Sequence, residues 1–273
     1  MPDLRHSIKA KHFLRMSIKA NDLSPKIVNG REAQPGELPW MVALYYNNQF
    51  RCSAFLISPR LVMTAAHCVE FENGIEPSSA FYGIAGNVDR LGTETRLEFS
   101  EVIPNPNFRQ GTNEFDIAVM RIAEPLEFND YMKSLCLPRS GRDFEFDYTE
   151  AMGWGLTATF GDEPSDVLRA VELAVEPRPL CQVFFALLMI TITDRHLCAT
   201  STTRKGACFG DSGGPLVYDD PMSGSPVAIG VASFITPLGC ARPLAPTVYS
   251  ATAVFADWVA QAVGEDASEL CFV

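Results

Sequence analysis

From Ile27 onward the chain alternates short apolar or apolar/polar runs with segments rich in turn residues. The runs are Trp40 to Tyr46, Phe50 to Ile57, Leu61 to Ala65, Thr95 to Ile103 and Ile117 to Ile122, then Ala151 to Trp154, Arg169 to Val175, Pro215 to Tyr218, Val227 to Phe234 and Thr247 to Ser250. Runs of four to nine residues punctuated this way predict β-strands, and their number predicts an all-β barrel or sandwich. Helical periodicity is confined to the end of the chain. There Val254, Trp258 and Ala262, with Phe255, Val259 and Val263, recur at four-residue spacing and predict a helix over 251–263. The stretch Leu135 to Gly141 reads as a seam between two halves of similar length.

Residues 1–26 have a different texture. They are polar and basic, Leu4 to Ala10 (LRHSIKA) is echoed by Leu14 to Ala20 (LRMSIKA), and they read as a flexible leader. The repeat itself suggests no function.

Composition narrows the classes. With 47% hydrophobic and 20% charged residues in 273, the chain is neither disordered nor fibrous. Its longest apolar stretch, Val183 to Ile190, is far short of the roughly 20 residues that cross a bilayer, so no membrane partner is expected. The leader carries six basic and two acidic residues, leaving 16 basic and 31 acidic beyond it, a net of −15 against −11 for the whole chain. Phosphate binding needs a basic surface, so nucleic acid is excluded as a partner. Eight cysteines without a CxxC motif fit four disulfides better than zinc, and point to an oxidising compartment. The first 26 residues hold no apolar core of the kind a secretory signal requires, so the signal is expected upstream of this sequence.

The candidate chemistry centres on Gly210-Asp211-Ser212-Gly213-Gly214-Pro215. The glycines and Ser212 also fit the GxSxG elbow of α/β-hydrolases, but that arrangement needs a histidine after the serine. None follows: the four histidines are His6, His12, His67 and His196. His6 and His12 belong to the leader, and His196, in a polar turn beside Cys198, reads as an ordinary packed or solvated residue. His67 remains, in Thr64-Ala65-Ala66-His67-Cys68. A serine hydroxyl needs a base of near-neutral pKa, and that base needs a carboxylate to fix its tautomer and carry its charge.

The segments TAAHC, DIAVM (Asp116 to Met120) and GDSGGP, in that order, resemble the chymotrypsin-like serine protease family over Ile27 to about Val263. The resemblance implies two packed six-stranded antiparallel β-barrels with a C-terminal helix, the first barrel over about 27–137 and the second over about 138–250. It also implies a triad of nucleophile Ser212, base and then acid His67, and orienting carboxylate Asp116. The backbone N–H groups of Gly210 and Ser212 would form the oxyanion hole. Gly153-Trp154-Gly155 and Ser233-Phe234 match further family landmarks, the latter a strand edge for extended substrate. No cofactor or metal is implied, and Asn87 stands where a calcium-binding relative would have an acid.

By the same resemblance Cys52 pairs with Cys68, Cys181 with Cys198 and Cys208 with Cys240, which leaves Cys136 for Cys271. Thr149 and Tyr218 stand where a further family bridge would be. Pro25-Lys26-Ile27-Val28-Asn29-Gly30 resembles the activation site, so cleavage after Lys26 should free an Ile27 ammonium to pair with Asp211. The specificity pocket is expected from Gly206, Ala207, Phe209, Ser233, Phe234, Ile235 and Thr247. Gly206 stands where trypsin-like members carry Asp, and branched Ile235 and Thr247 stand where chymotrypsin-like pockets have glycines, as in pancreatic elastases. The implied protein is a secreted, monomeric zymogen that cleaves proteins or peptides after small aliphatic residues. A trypsin-like protease should activate it, and protein protease inhibitors are expected partners. Chymotrypsin-like or broad preference, and a non-catalytic binding homologue, are the alternatives. The apolar stretch Val183 to Ile190 is read either as a short buried helix or as a shelf for substrate residues far from the cut.

Overall fold

The computed structural model describes residues 27–92, 95–158 and 161–273; the leader, its repeat and Lys26 lie outside the described residues. After a two-residue strand, β1 (Arg31–Glu32), the first half supplies β2 (Met41–Tyr46), β3 (Gln49–Ser58) and β4 (Leu61–Thr64). A small hairpin of β5 (Glu70–Phe71) and β6 (Gly74–Ile75) precedes β7 (Phe81–Ala85), β8 (Thr95–Pro104) and β9 (Ala118–Ile122). Six of these strands close into a barrel in the order β2-β3-β4-β9-β8-β7, every pairing antiparallel. The period-two pattern of β8 shows why: Leu97 and Phe99 point into the barrel while Arg96, Glu98 and Ser100 face water. A strand with both faces covered shows no alternation, as in β4, whose four residues are all buried.

The second half contributes β10 (Tyr148–Gly153), β11 (Arg169–Glu176), helix α1 (Arg178–Ala186), β12 (His196–Thr200), β13 (Pro215–Asp220), β14 (Ser225–Phe234) and β15 (Thr247–Ala251). Its strands run β11-β10-β13-β14-β15-β12, and pairing of β12 back onto β11 closes a second six-stranded barrel, with β1 added outside β11. The C-terminal helix α2 (Thr252–Val263) lays Phe255, Val259 and Val263 into the core of the first barrel. Ile27 sits in the core of the second.

Helix α1 corrects the expectation of a buried helix over Val183 to Ile190. It starts earlier, at Arg178, ends within the apolar stretch, and buries Cys181 and Phe185. Consecutive apolar residues go round a helix, and a single packed face covers only those spaced by three or four, so Val183 is 66% exposed within α1, and the turn that follows the helix leaves Leu187 and Met189 exposed as well.

Four disulfides join Cys52 to Cys68, Cys136 to Cys271, Cys181 to Cys198 and Cys208 to Cys240. The second fixes the end of the chain to the connection between barrels. There the tail runs parallel to that connection, with the Leu137 N–H donating to Cys271 O at 2.8 Å and the Val273 N–H to Leu137 O at 3.0 Å. Thr149 spends its hydroxyl on Leu173 O at 3.0 Å.

Candidate active site

The cleft lies where the two barrels meet, and each barrel delivers its polar groups from the end of a strand. His67 occupies a single 3-10 turn, Ala66–Cys68, directly after β4, and the Cys52–Cys68 bridge ties that turn to β3. Asp116 ends the loop before β9 and is buried. Its two oxygens divide their work. Oδ1 accepts the His67 backbone N–H at 2.9 Å, and Oδ2 faces His67 Nδ1 at 2.7 Å. With Nδ1 donating to the carboxylate, the His67 lone pair lies on Nε2.

Ser233 completes the carboxylate's shell, its Oγ donating to Asp116 Oδ2. A β-bulge aims it there: opposite β15 the register slips between Ala232 and Phe234, so Ser233 has no facing partner and turns toward the first barrel. Ser250 Oγ donates to Asp116 O at 2.7 Å from the same barrel.

The electrostatics follow from this shell. Burial would lift the Asp116 pKa, but the charge and hydrogen bond of His67, with the Ser233 hydroxyl and the His67 N–H, hold it below the ordinary carboxylate value. Burial would likewise depress His67, and Arg51 adds to that, yet the charge and hydrogen bond of Asp116 outweigh both and raise it above 6.5. The His67 side chain keeps 30% of its surface exposed, toward the cleft.

Ser212 follows Asp211 in the turn before β13 and lines the same cavity as His67, a space of about 280 Å³. No hydrogen bond joins its Oγ to His67 Nε2 among the described residues; such contacts often tighten only when substrate binds. The adjoining backbone is held from several sides. Ser53 N–H donates to Ser212 O at 2.9 Å, Ser53 Oγ to Gly210 O at 3.2 Å, and the Leu156 N–H to Phe209 O at 2.6 Å. A planar trans peptide whose carbonyl is held by Leu156 turns the Gly210 N–H to the opposite side. That N–H and the N–H of Ser212 donate to no protein acceptor among the described residues. The conformation needs glycine, since φ is +93° at Gly210 and a Cβ there would lie 3.0 Å from Gly155 Cα.

Asp211 is buried behind this turn. Its carboxylate accepts the N–H groups of Gly155 and Cys208, each at 2.8 Å, and no cationic side chain among the described residues pairs with it. Burial outweighs the two donors and pushes its pKa up to about 7. Ile27 is buried in the same barrel, and Val28 bridges Gly206.

Ala207, Phe209, Ser233, Phe234, Ile235 and Thr247 all line the cavity, with Phe209 exposed at its rim. Gly206 differs from the expectation: it is buried against Val28 and Ala241 and is not among the lining residues. Ser53, Arg51 and Ser250 carried no signal in the sequence. Arg51 donates to His67 O at 3.3 Å, and like Ser53 it is recognisable only once the fold brings residues far apart in sequence together. Among the described residues the atoms of Cys52, His67 and Cys68 are close enough to hold a metal, but both sulfurs are consumed in their disulfide.

The sequence profile of the family described as Trypsin matches residues 27–259. The chain is 34% identical over 240 residues to Transmembrane protease serine 9 of Rattus norvegicus, covering 86% of this chain and 22% of that protein. It is 30% identical over 245 residues to Clotting factor G beta subunit of Tachypleus tridentatus, covering 86% and 78%. It is also 30% identical over 267 residues to CLIP domain-containing serine protease HP8 of Bombyx mori, covering 89% and 70%.

Proposed function

The chain belongs to the trypsin family of serine proteases, and from that premise we propose that it is an endopeptidase in which Ser212 is the nucleophile, His67 the general base and acid, and Asp116 the orienting carboxylate. The observation that carries this reading is the buried Asp116 carboxylate bonded at 2.7 Å to the ring of a histidine that shares one cavity with Ser212. His67 Nε2 takes the Ser212 proton as Oγ attacks the substrate carbonyl. The imidazolium that forms is stabilised by Asp116 and returns the proton to the leaving amine; water then repeats the cycle on the acyl-enzyme. The uncommitted N–H groups of Gly210 and Ser212 receive the oxyanion, where one lost donor costs about 2.7–4 kcal/mol.

The pocket reading is elastase-like. Ile235 and Thr247 bring branched side chains to the cavity wall, and the acid among the lining residues, Asp211, is committed to the backbone N–H groups of Gly155 and Cys208 and does not receive Lys or Arg, so small aliphatic residues before the cut are preferred. The edge at Ser233-Phe234 pairs with extended substrate. A broader apolar preference is the second reading, favoured by a cavity as roomy as about 280 Å³.

The protein is made as a zymogen. Cleavage after Lys26 by a separate trypsin-like protease frees the Ile27 ammonium for Asp211, a reading supported by a buried Ile27 and by a buried carboxylate with no cationic partner among the described residues. Four disulfides support an extracellular location, and among the described residues no helix is long and apolar enough to cross a membrane. Protein substrates fit the relatives' names, a clotting factor subunit among them. The protein acts as a monomer and meets protein protease inhibitors.

The test is labelling of the activated protein by a peptidyl organophosphonate. Attachment at Ser212, lost in Ser212→Ala and in His67→Ala, is expected; an unlabelled but folded wild type refutes the enzyme reading and leaves a binding homologue.

A further inference from the structure

Asp116 is carried by the first barrel but gripped by the second, through a turn that the proposed triad does not include. Directly before it, Asn113 and Phe115 have φ of 56° and 58°. Asn tolerates this left-handed region, but a bulky residue such as Phe115 stays there only where its surroundings hold it. Here three successive residues are each held from the turn that opens β12. His196 Nε2 lies 3.0 Å from Asn113 O, Arg195 Nε donates to Glu114 Oε2 at 2.7 Å, and the Arg195 guanidinium lies 4.7 Å from the centre of the Phe115 ring.

The ring of His196 has a defined tautomer. The Thr193 N–H donates to His196 Nδ1 at 3.1 Å, so the proton sits on Nε2 and is given to Asn113 O. The residue is buried, edge-on to Phe234 at 5.9 Å, and paired across the sheet with Ser250, whose hydroxyl holds Asp116 O. Arg195 and Asp194 on its own turn and Glu114 on the facing loop are charged neighbours, and Glu176 and Arg178 line the same pocket as His196.

We propose that Arg195 and His196 form a positioning clamp that fixes the strained loop Asn113–Phe115 and thereby the Asp116 carboxylate against His67. The inference rests on the triad reading given above. Its logic is geometric: Phe115, directly before Asp116, has no intrinsic preference for its left-handed conformation, and displacement of Asp116 lengthens the bond to His67 Nδ1 that sets the tautomer and raises the imidazole pKa. Neither Arg195 nor His196 touches substrate.

The experiment measures kcat and KM from pH 5 to 10 on one peptide anilide with Ala before the cut, for activated wild type, His196→Ala, His196→Gln and Arg195→Met. In His196→Ala, kcat should fall roughly ten- to hundredfold, the scale of a displacement of about 1 Å in a catalytic group, and the acid limb should move to lower pH. Its KM should stay within about threefold. His196→Gln keeps an N–H donor for Asn113 O and should retain kcat within about threefold, with the wild-type acid limb. Both variants lack the imidazole, so a difference between them reports the hydrogen bond to Asn113 O. Wild-type kcat and acid limb in His196→Ala overturn the clamp, as does an equal loss in the Ala and Gln variants, which would reduce His196 to packing. Should His196→Ala not fold, Arg195→Met decides: it keeps an apolar stem over Phe115 while deleting the ion pair. A several-fold lower kcat with the same displacement of the acid limb supports the clamp, and wild-type values refute it. A wild type that is neither active nor labelled at Ser212 refutes the triad reading instead.

Discussion

Changing Asp211 to Asn in the uncleaved chain, with Ser212→Ala to silence proteolysis, should alter the pH dependence of stability more than stability at any one pH. Asp211 is buried with two backbone donors and, among the described residues, no cationic side chain, and its pKa is pushed up to about 7 from an ordinary 3.8. A carboxyl whose folded pKa exceeds its unfolded one binds protons more readily when folded. Its contribution is therefore fully present below pH 3.8, falls between 3.8 and about 7, and is gone above that. At 1.36 kcal/mol for each pH unit the loss across this window is about 4 kcal/mol, an order-of-magnitude figure. Asn cannot ionise, but it offers one acceptor oxygen to the two N–H groups, and an orphaned buried donor costs about 1–3 kcal/mol. The Asn protein should be the less stable of the two near pH 4 and the more stable by about 1–3 kcal/mol at pH 8, the ranking reversing in between. Denaturant unfolding of both proteins at several pH values measures this directly. A gap between them that stays constant within about 1 kcal/mol from pH 4 to 8 would show that burial does not control Asp211. After cleavage at Lys26 the Ile27 ammonium should remove the alkaline loss from the protein that keeps Asp211 and leave the Asn protein, which has no such loss, unchanged; with Ser212 restored, cleaved Asp211→Asn should stay inactive.

Three further outcomes are expected. Asp116→Asn should cost about 10⁴-fold in kcat, the scale known for the template enzyme of this family, and its acid limb should lie below that of wild type, where activity is lost as pH falls through a His67 pKa above 6.5. Pre-steady-state or initial-rate measurements from pH 5 to 10 check both, and a near-wild-type rate would exclude Asp116 from catalysis. Ile235→Gly combined with Thr247→Gly should raise kcat/KM for peptides with Phe before the cut relative to Ala; a fall in that ratio would mean these side chains do not exclude large residues. Thr149→Cys with Tyr218→Cys should close a disulfide, because continuing the pairing of Glu150 with Val217 by one residue sets 149 opposite 218. Chain entropy over a loop of that length gives up to about 4 kcal/mol of stabilisation; two free thiols in the folded variant would show that the register does not continue.

Much of the fold was legible because barrel strands leave a local signature. The alternation in β8 and the apolar run in β4 each predict a strand without reference to any partner. β7 (Phe81–Ala85) and β12 (His196–Thr200) escaped that reading for identifiable reasons. Gly83 interrupts β7 because a Cβ there would meet Val42 Cγ1 at 2.7 Å, so the residue that looks like a breaker is a close approach between paired strands. β12 begins at a histidine that follows charged Asp194 and Arg195, and its burial is imposed by β15 and the loop facing it. Helix α1 failed in the opposite direction: eight apolar residues in succession suggested burial, but a run without period carries no face, and packing buried only what pointed at Phe234 and Val248.

The site divides along the same line. Motif order placed Gly, His, Asp and Ser in the chain, because turn chemistry and the flanking cysteines are sequence-local. The groups that orient them are not. Ser233 turns to Asp116 only because β14 carries one residue more than β15 at that point, and a bulge is a property of two strands that neither records alone. His196 offers the sharper case. Read along the chain it is one polar residue in a polar turn, and that reading is sound for its own neighbours. Its Nε2, however, meets Asn113 O across 83 residues of sequence, at a loop where Asn113 is an ordinary turn residue but nothing in the sequence marks Phe115 as left-handed. A strained segment and the group that restrains it must be stable together and are unstable apart, so the cost of one and the contribution of the other cancel in the folded protein. Local propensity measures only the cost. It therefore misjudges the positions where one barrel holds the other's functional loop, and those positions can be found by asking which buried polar contact faces each unfavourable backbone angle.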